Sequence, residues 1–426
     1  MRIVIIAEVY LPKVDGVVIR TMNLIRHLVE AGDEILVICP QVDDRGESPV
    51  RYVEFRSFPF PAYPEYLVGV PDQRLPAAVR DFGPDLIHFI NPFAFGFRSF
   101  DLLHKAGVNL PTVFSFHTLY GEFVKRYPLL KPLSRTLWWL MRDYHNCADA
   151  NLTVSTVMRD ELTVRGFQRV QFWPPAVDSR LFHPGRADAQ MRQRLSKGDS
   201  ERPLLITVSR LAPEKNVAFL ADVLKQTALQ QSPQPQLAVI GDGPQRAELE
   251  RRFAGLPAHF FGYLKGEELA AAYASADAFV YASETETMGN VVLEAMASGL
   301  PVIVPRAGGI PSLLVHGEDG LMFAPGDKAD AVASLQAVLG DEALRRRLGA
   351  AARARIEDSG WRESIACVRQ HYVETIAEHQ RGGGAAVPRL RLAPAVMASL
   401  VTAFQALAKR RKLAARTRSL ATAKGS

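Results

Sequence analysis

Two carboxylates, Glu286 and Glu294, stand eight positions apart in Ser283-Glu-Thr-Glu-Thr-Met-Gly-Asn-Val-Val-Leu-Glu-Ala-Met-Ala-Ser-Gly-Leu-Pro301. The apolar run before them, Asp277-Ala-Phe-Val-Tyr-Ala282, reads as a buried parallel strand. Gly289 then opens a helix. Glu286 falls in the loop at the strand's carboxyl end, and Glu294 falls about one and a half turns into the helix. Ligands of open α/β sheets bind in that crevice. The N–H groups of Met288, Gly289 and Asn290 would face an anion there, aided by the helix dipole. One segment thus offers a carboxylate for hydroxyls, bare N–H groups for phosphate and a second carboxylate. That set fits a nucleotide sugar. Two glutamates near a helix start more often serve as capping and surface charge, so the reading rests on what the other loops add.

Ser209-Arg-Leu-Ala-Pro-Glu-Lys-Asn216 puts Arg210 and Lys215 on another strand-to-helix loop. Arg210 is a fork and Lys215 a point charge, and both suit a diphosphate. Gly241-Asp-Gly-Pro244 is a tight turn after the next strand. Phe261-Gly-Tyr-Leu264, with Gly262 and Leu264, follows the third, and its backbone could hydrogen-bond a flat base. In the first half, Glu8-Val-Tyr-Leu-Pro-Lys-Val-Asp-Gly-Val-Val-Ile-Arg20 joins strand to helix. Gly16 allows backbone to approach phosphate there, and Lys13 and Arg20 flank it with positive charge. Phe116-His-Thr118 follows a later strand, so His117 is expected to face the same cleft. The sequence shows no metal-ligand cluster and no Gly-x-Ser-x-Gly nucleophile elbow.

These loops need sheets to converge. Apolar runs at Arg2–Ala7, Glu34–Cys39, Leu86–Ile90, Thr112–Ser115 and Ala150–Val154 alternate with helical patterns. A second series runs Leu204–Val208, Gln236–Ile240, Ala258–Phe261, Ala278–Tyr281 and Pro301–Val304. The pattern predicts an α/β protein with two Rossmann-like domains, 1–185 and 186–360, facing a central cleft. A helical segment 361–380 follows, and Gly382-Gly-Gly384 breaks it before a basic tail, 381–426.

The formal charge of +6 is a property of that tail. Ten of the 51 Lys and Arg residues lie in 381–426 with none of the 45 Asp and Glu, so the preceding 380 residues are net −4. That disfavours nucleic acid as a partner of the main fold. Cys39, Cys147 and Cys367 are far apart and suggest no disulfide framework. No run of 18 apolar residues suggests a membrane span. The chain opens on a strand with nothing before it that reads as a signal or transit peptide. In the tail, Val396, Met397, Leu400, Val401, Phe404 and Leu407 recur at helical spacing before Lys409-Arg-Arg-Lys412. That is the pattern of an interfacial helix on an anionic membrane surface. Phe123 to Leu140 also mixes basic and bulky apolar residues.

Together these residues resemble the retaining glycosyltransferases of family 4, which have the GT-B fold. Arg56-Ser-Phe-Pro59, Asp85-Leu-Ile-His88, Phe116-His-Thr118, Arg192-Gln-Arg-Leu-Ser196, Ser283-Glu-Thr-Glu-Thr287 and Ala307-Gly-Gly-Ile-Pro311 look most like the sulfolipid synthases of plants and photosynthetic bacteria. The resemblance implies transfer of sulfoquinovose from UDP-sulfoquinovose to diacylglycerol with no cofactor or metal. The alternative is a UDP-glucose- or GDP-mannose-dependent transferase acting on diacylglycerol or phosphatidylinositol. It also implies a last helix that crosses back to the first domain. Glu294 would hold ribose, the backbone at Phe261 to Leu264 would read uracil, and Arg210, Lys215, Gly289 and Asn290 would bind the diphosphate. Glu286 would orient the sugar and His117 would support the reacting centre. Met288 departs from the Phe or Leu of the wider family. Lys13 and Arg20 are expected to face the sulfonate. The expected location is the cytoplasmic side of a membrane, peripherally bound, in the thylakoid or plasma membrane of a photosynthetic bacterium. A nucleotide-sugar-binding scaffold or a nonhydrolysing epimerase would share the fold, but Arg210 and Lys215 beside Glu286 and Glu294 favour transfer.

Overall fold

The computed structural model describes residues 1–11, 15–41, 50–60, 63–118, 120–123, 131–228 and 232–383. Lys13 and the tail beyond 383 lie outside these residues, as does part of the Phe123 to Leu140 segment. The first half forms β1 (Arg2–Ala7), β2 (Glu34–Pro40), β3 (Arg51–Phe55), β4 (Ser57–Phe60), β5 (Tyr63–Gly69), β6 (Leu86–Ile90), β7 (Thr112–Phe116), β8 (Ala150–Thr153) and β9 (Val170–Phe172). Seven of these make one parallel sheet in the order β3-β2-β1-β6-β7-β8-β9, and β4 and β5 form a separate antiparallel pair. The second half forms β10 (Leu204–Val208), β11 (Gln236–Ile240), β12 (Ala258–Gly262), β13 (Ala278–Val280), β14 (Val302–Pro305) and β15 (Leu321–Phe323). Their order is β12-β11-β10-β13-β14-β15, again parallel throughout.

Continuous apolar runs dictate this arrangement. Ile3 to Ala7 and Leu204 to Ile206 are buried because helices cover both faces of each sheet. Strand order reverses at β1/β6 in one sheet and at β10/β13 in the other. Those two switch points leave open crevices at the carboxyl ends of the strands. Each half therefore brings its loops to one edge, as the alternation of apolar runs predicts. β3, β9, β15 and the β4–β5 pair were not anticipated. β9 and β15 have three residues each, too short for a periodic signal, and β3 is largely half-exposed at the sheet's edge.

The chain passes to the second domain after Trp173 and returns before the helix Trp361–Glu378. The two crossing segments are joined where Val177 N–H donates to Ser359 O at 3.0 Å. The returning helix packs on the helix Gly16–Glu30 of the first domain. Arg369 grips Asp33 with Nε and Nη2 at 2.8 and 3.0 Å. Tyr372 hydroxyl meets His88 Nδ1 at 2.5 Å inside the first sheet, and Trp173 Nε1 donates to Ser364 Oγ. Burial alone would raise the Asp33 carboxyl, but hydrogen bonds from Arg369 and the Met1 amino group outweigh it and hold it below the ordinary value.

A carboxyl held down in this way contributes stability above its ordinary titration range and loses it as pH falls through the folded value. Asp33→Asn is expected to lower the unfolding free energy by about 2 kcal/mol at pH 7, a half-exposed Arg partner giving less than a fully buried one. The deficit should shrink towards pH 3. Urea titrations at both pH values measure it, and an equal deficit at both would contradict this role for Asp33.

Candidate active site

The β10/β13 switch point carries the densest chemistry. After β10, a short 3₁₀ turn Pro213–Lys215 ends with Asn216 in the left-handed region, which turns Lys215 towards the crevice. After β13, the loop brings Glu286 opposite. Lys215 Nζ and Glu286 Oε1 are 2.5 Å apart, and Tyr281 hydroxyl donates to the same oxygen at 2.9 Å. Both donors use Oε1. Burial would raise the Glu286 carboxyl, but the Lys215 charge and hydrogen bonds from Lys215, Ser283 and Tyr281 outweigh it and hold it ionised. The loop rests on Gly308 and Gly309. Gly309 N–H donates to Glu286 O at 2.7 Å, and a β-carbon on Gly309 would lie 1.9 Å from Thr287 O. A side chain there would push Glu286 out of the crevice.

The helix Asn290–Ala297 begins at Gly289, whose φ of 95° favours glycine, and no side chain caps it. The N–H groups of Asn290 and Val291 have no acceptor among the described residues. They form an anion-ready terminus beside Lys215. One and a half turns on, Glu294 Oε2 accepts from Tyr273 hydroxyl at 3.0 Å. Burial raises this carboxyl to about 7, the Tyr273 bond opposing it only in part. Arg210 is ion-paired with Glu214 in the same turn, and Glu214 Oε2 is buried without a partner. Gly262 O accepts from Gly241 N–H at 2.7 Å. That bond ties the β11 and β12 loops together, beside the buried Leu264.

The first domain faces these groups. His117 is buried, its Nε2 2.9 Å from Ser115 Oγ and its ring edge against Trp173. Burial, then the charges of Arg20 and His88, hold its imidazole well below its usual range, so it is neutral at pH 7. Gly16 opens its helix, capped by Asp15 through Val17 and Val18 N–H. A β-carbon on Gly16 would lie 2.6 Å from Asn290 Nδ2, so the two domains touch there.

One expectation is corrected. Arg20 does not face a sulfonate. It is 1% exposed and donates to Trp173 O, Pro174 O and Met288 Sδ at 3.2, 2.5 and 3.0 Å. Its guanidinium stacks 4.4 Å from the Trp173 ring, and burial pulls it down to about 9, still charged at pH 7. Arg20 pins the domains together, and Met288 is its partner. Lys13 lies outside the described residues.

Sequence reasoning missed several contributors. Tyr281 and Tyr273 read as strand and helix residues, because a phenol's packing hides its hydrogen bond. Glu214 carried no signal apart from its place between Arg210 and Lys215. Glu8 is fully buried and accepts from Tyr66 hydroxyl and the N–H groups of Phe93, Phe95 and Gly96. Its acceptor sites are taken up in tying β1 to the helix Ala94–Lys105. Among the described residues, no group of three or more His, Cys, Asp or Glu side chains could hold a metal ion, and no helix is long and apolar enough to cross a membrane.

Two parallel-sheet domains whose switch-point loops meet across one cleft, with an anion-ready helix start and two carboxylates, define a GT-B glycosyltransferase. Known proteins agree. Residues 14–181 match the model described as Glycosyltransferase Family 4, and residues 190–355 match Glycosyl transferases group 1. The chain is 38% identical over 367 residues to sulfoquinovosyl transferase SQD2 of Arabidopsis thaliana, covering 84% of this chain and 70% of that protein. It is 32% identical over 386 residues to a GDP-mannose-dependent alpha-mannosyltransferase of Corynebacterium glutamicum, covering 89% and 91%. It is 24% identical over 340 residues to an alpha-monoglucosyldiacylglycerol synthase of Acholeplasma laidlawii, covering 76% and 85%. Sucrose-phosphate synthase from Thermosynechococcus elongatus shares the fold, with a TM-score of 0.72 at 22% identity over 88% of this chain and all of that one. The chain belongs to glycosyltransferase family 4 and is an enzyme that transfers sugars.

Removing the ammonium from the Lys215–Glu286 pair strands a buried charge. Lys215→Met is expected to cost roughly 3 kcal/mol of stability at pH 7. The loss should shrink near pH 5, where the unpaired Glu286 takes up a proton. Thermal unfolding at the two pH values checks this; a pH-independent loss would mean that the pair does not set the Glu286 charge.

Proposed function

We propose that this enzyme transfers sulfoquinovose from UDP-sulfoquinovose to diacylglycerol, with retention and without a metal. The observation that carries the reading is the Lys215–Glu286 pair beside the uncapped start of helix Asn290–Ala297. It combines a cation, anion-binding N–H groups and a hydroxyl acceptor in one crevice. The 38% identity to a sulfoquinovosyl transferase supports this donor over others.

In this reading UDP binds mainly to the second domain. The Glu294 carboxylate accepts the ribose hydroxyls, and the backbone near Gly262 and Leu264 meets uracil. Lys215, Arg210 and the N–H groups at Gly289 and Asn290 take the diphosphate and the charge that grows on it as the glycosidic bond breaks. Glu286 accepts a sugar hydroxyl beside the Lys215 and Tyr281 bonds to its Oε1. His117, neutral, meets the reacting centre from the first domain. The lipid oxygen bonds to the anomeric carbon on the face from which UDP departs. The bonding pair leaves on the phosphate oxygen, and the lipid proton follows to that oxygen. With Arg20 committed to the domain seam, Lys13 is the remaining candidate of the pair for the sulfonate. The basic tail docks the enzyme on the anionic cytoplasmic face of the membrane that holds the acceptor. A GDP-mannose donor is the second reading, favoured by the mannosyltransferase relative.

Purified protein incubated with diacylglycerol liposomes, EDTA and UDP-sulfoquinovose, UDP-glucose, UDP-galactose or GDP-mannose is expected to yield sulfolipid. A product only from GDP-mannose, or only in the presence of added metal, would overturn the donor or the metal-free mechanism. The Glu294 carboxyl near 7 also gives a pH test. Ribose hydroxyls favour its ionised form, so binding releases a proton and affinity rises with pH until about 7. Relative to Glu294→Gln, wild-type affinity for UDP is expected to climb by up to about tenfold per pH unit below that point. Calorimetry of both proteins measures it, and parallel profiles would remove Glu294 from the ribose. Deleting Arg389 to Ser426 is expected to weaken liposome flotation while sparing donor hydrolysis; unchanged flotation would rule the tail out as the anchor.

A further inference from the structure

The loop that carries Glu286 reaches the other domain through the next residue. Thr287 hydroxyl donates to the main-chain carbonyl of His117 at 2.7 Å. On the first-domain side, His117 is already fixed. Its N–H donates to Asn91 Oδ1 at 3.1 Å, and Asn91 Nδ2 donates to Thr118 Oγ1 and Tyr120 hydroxyl at 3.1 and 2.9 Å. Asn91 is 4% exposed and holds a φ of 50°, in the left-handed region. Non-glycine residues there are uncommon and gather where surrounding contacts over-determine the backbone. On the second-domain side, Gly308 and Gly309 clamp the Glu286–Thr287 peptide from behind. Two rigid loops thus meet through one hydroxyl.

We propose that Thr287 is a positioning residue that couples the approach of the two domains to the placement of Glu286. The inference rests on the reading of Glu286 as the group that orients the sugar. A hydrogen bond of this length is lost once the domains separate by about 1 Å. Thr287 therefore registers whether the cleft is shut. Because its side chain adjoins Glu286 in sequence, the same bond fixes the carboxylate against a sugar held between the domains. UDP is bound mainly by one domain, so its affinity depends little on this contact, but the shut state of the cleft around it does. The sugar-transfer step does.

The test uses the full chain with Thr287→Val, which keeps the volume and removes the donor, and Thr287→Ser, which keeps the donor. With UDP-sulfoquinovose and diacylglycerol liposomes, Thr287→Val is expected to lower kcat by about 30-fold, within the range that a small misplacement of a reacting group costs. Its Kd for UDP should stay within about twofold, and Thr287→Ser should recover most of kcat. Small-angle scattering should show UDP-induced compaction in the wild type and Thr287→Ser but less in Thr287→Val. Unchanged kcat in Thr287→Val, equal losses in both variants, a loss confined to UDP affinity, or no compaction of the wild type would each overturn the proposal. If the wild type transfers no sugar from this donor, the sulfolipid reading fails. The scattering measurement, which needs only UDP, still decides the role of Thr287.

Discussion

A carboxylate inside a half-buried cleft must be compensated or it takes up a proton, and the active site is built around that constraint. Glu286 stays ionised because Lys215 lies against it and Tyr281 adds a hydrogen bond. Each partner is delivered by a neighbouring strand of the second sheet, so the pair exists only because β10 and β13 lie side by side. The same constraint separates the two glutamates of the motif. Glu294 has a phenol rather than an ammonium beside it, and its carboxyl rises to about 7. Two chemically identical groups thereby receive different ionisation behaviour from their surroundings, one a fixed negative charge and one a group that titrates near neutral pH.

The crevice is also nearly self-neutralising. Lys215 faces Glu286 and Arg210 faces Glu214. In the proposed reading, a diphosphate entering this space would meet cations already held by carboxylates, so its binding would be an exchange of partners as much as a simple attraction. In that reading the exchange would free Glu286 for hydroxyls at the moment the phosphate engages Lys215. Donor recognition and sugar orientation would then be linked through one ammonium group.

Much of this was legible in the amino-acid order. Apolar runs announced β1, β2, β6, β7, β10, β11 and β13, and the loops after β7, β10 and β13 carry His117, Lys215 and Glu286 as anticipated. The short edge strands β9 and β15 were invisible because three residues cannot display a period. The role of Arg20 was misread for a different reason. An arginine beside a glycine-containing loop looks like a ligand-binding cation, and only packing shows Trp173, Pro174 and Met288 closing over it. Asn91 and Thr287 left no trace at all, since a hydrogen bond between residues 170 positions apart, such as Thr287 to His117, has no local signature.

The two crossing segments between the domains, joined by the bond from Val177 to Ser359, have a mechanical consequence. A single tether would let one domain swivel freely against the other. Two tethers side by side behave as a door hinge: they resist torsion and permit bending about one line. In such a closure, the loops on either lip of the cleft would travel along a fixed arc. In the proposed closure, Thr287 would return to the same carbonyl without any search over orientations. The polypeptide's return journey to its first domain, which looks like a mere packing detail, serves as the alignment rail for the whole machine.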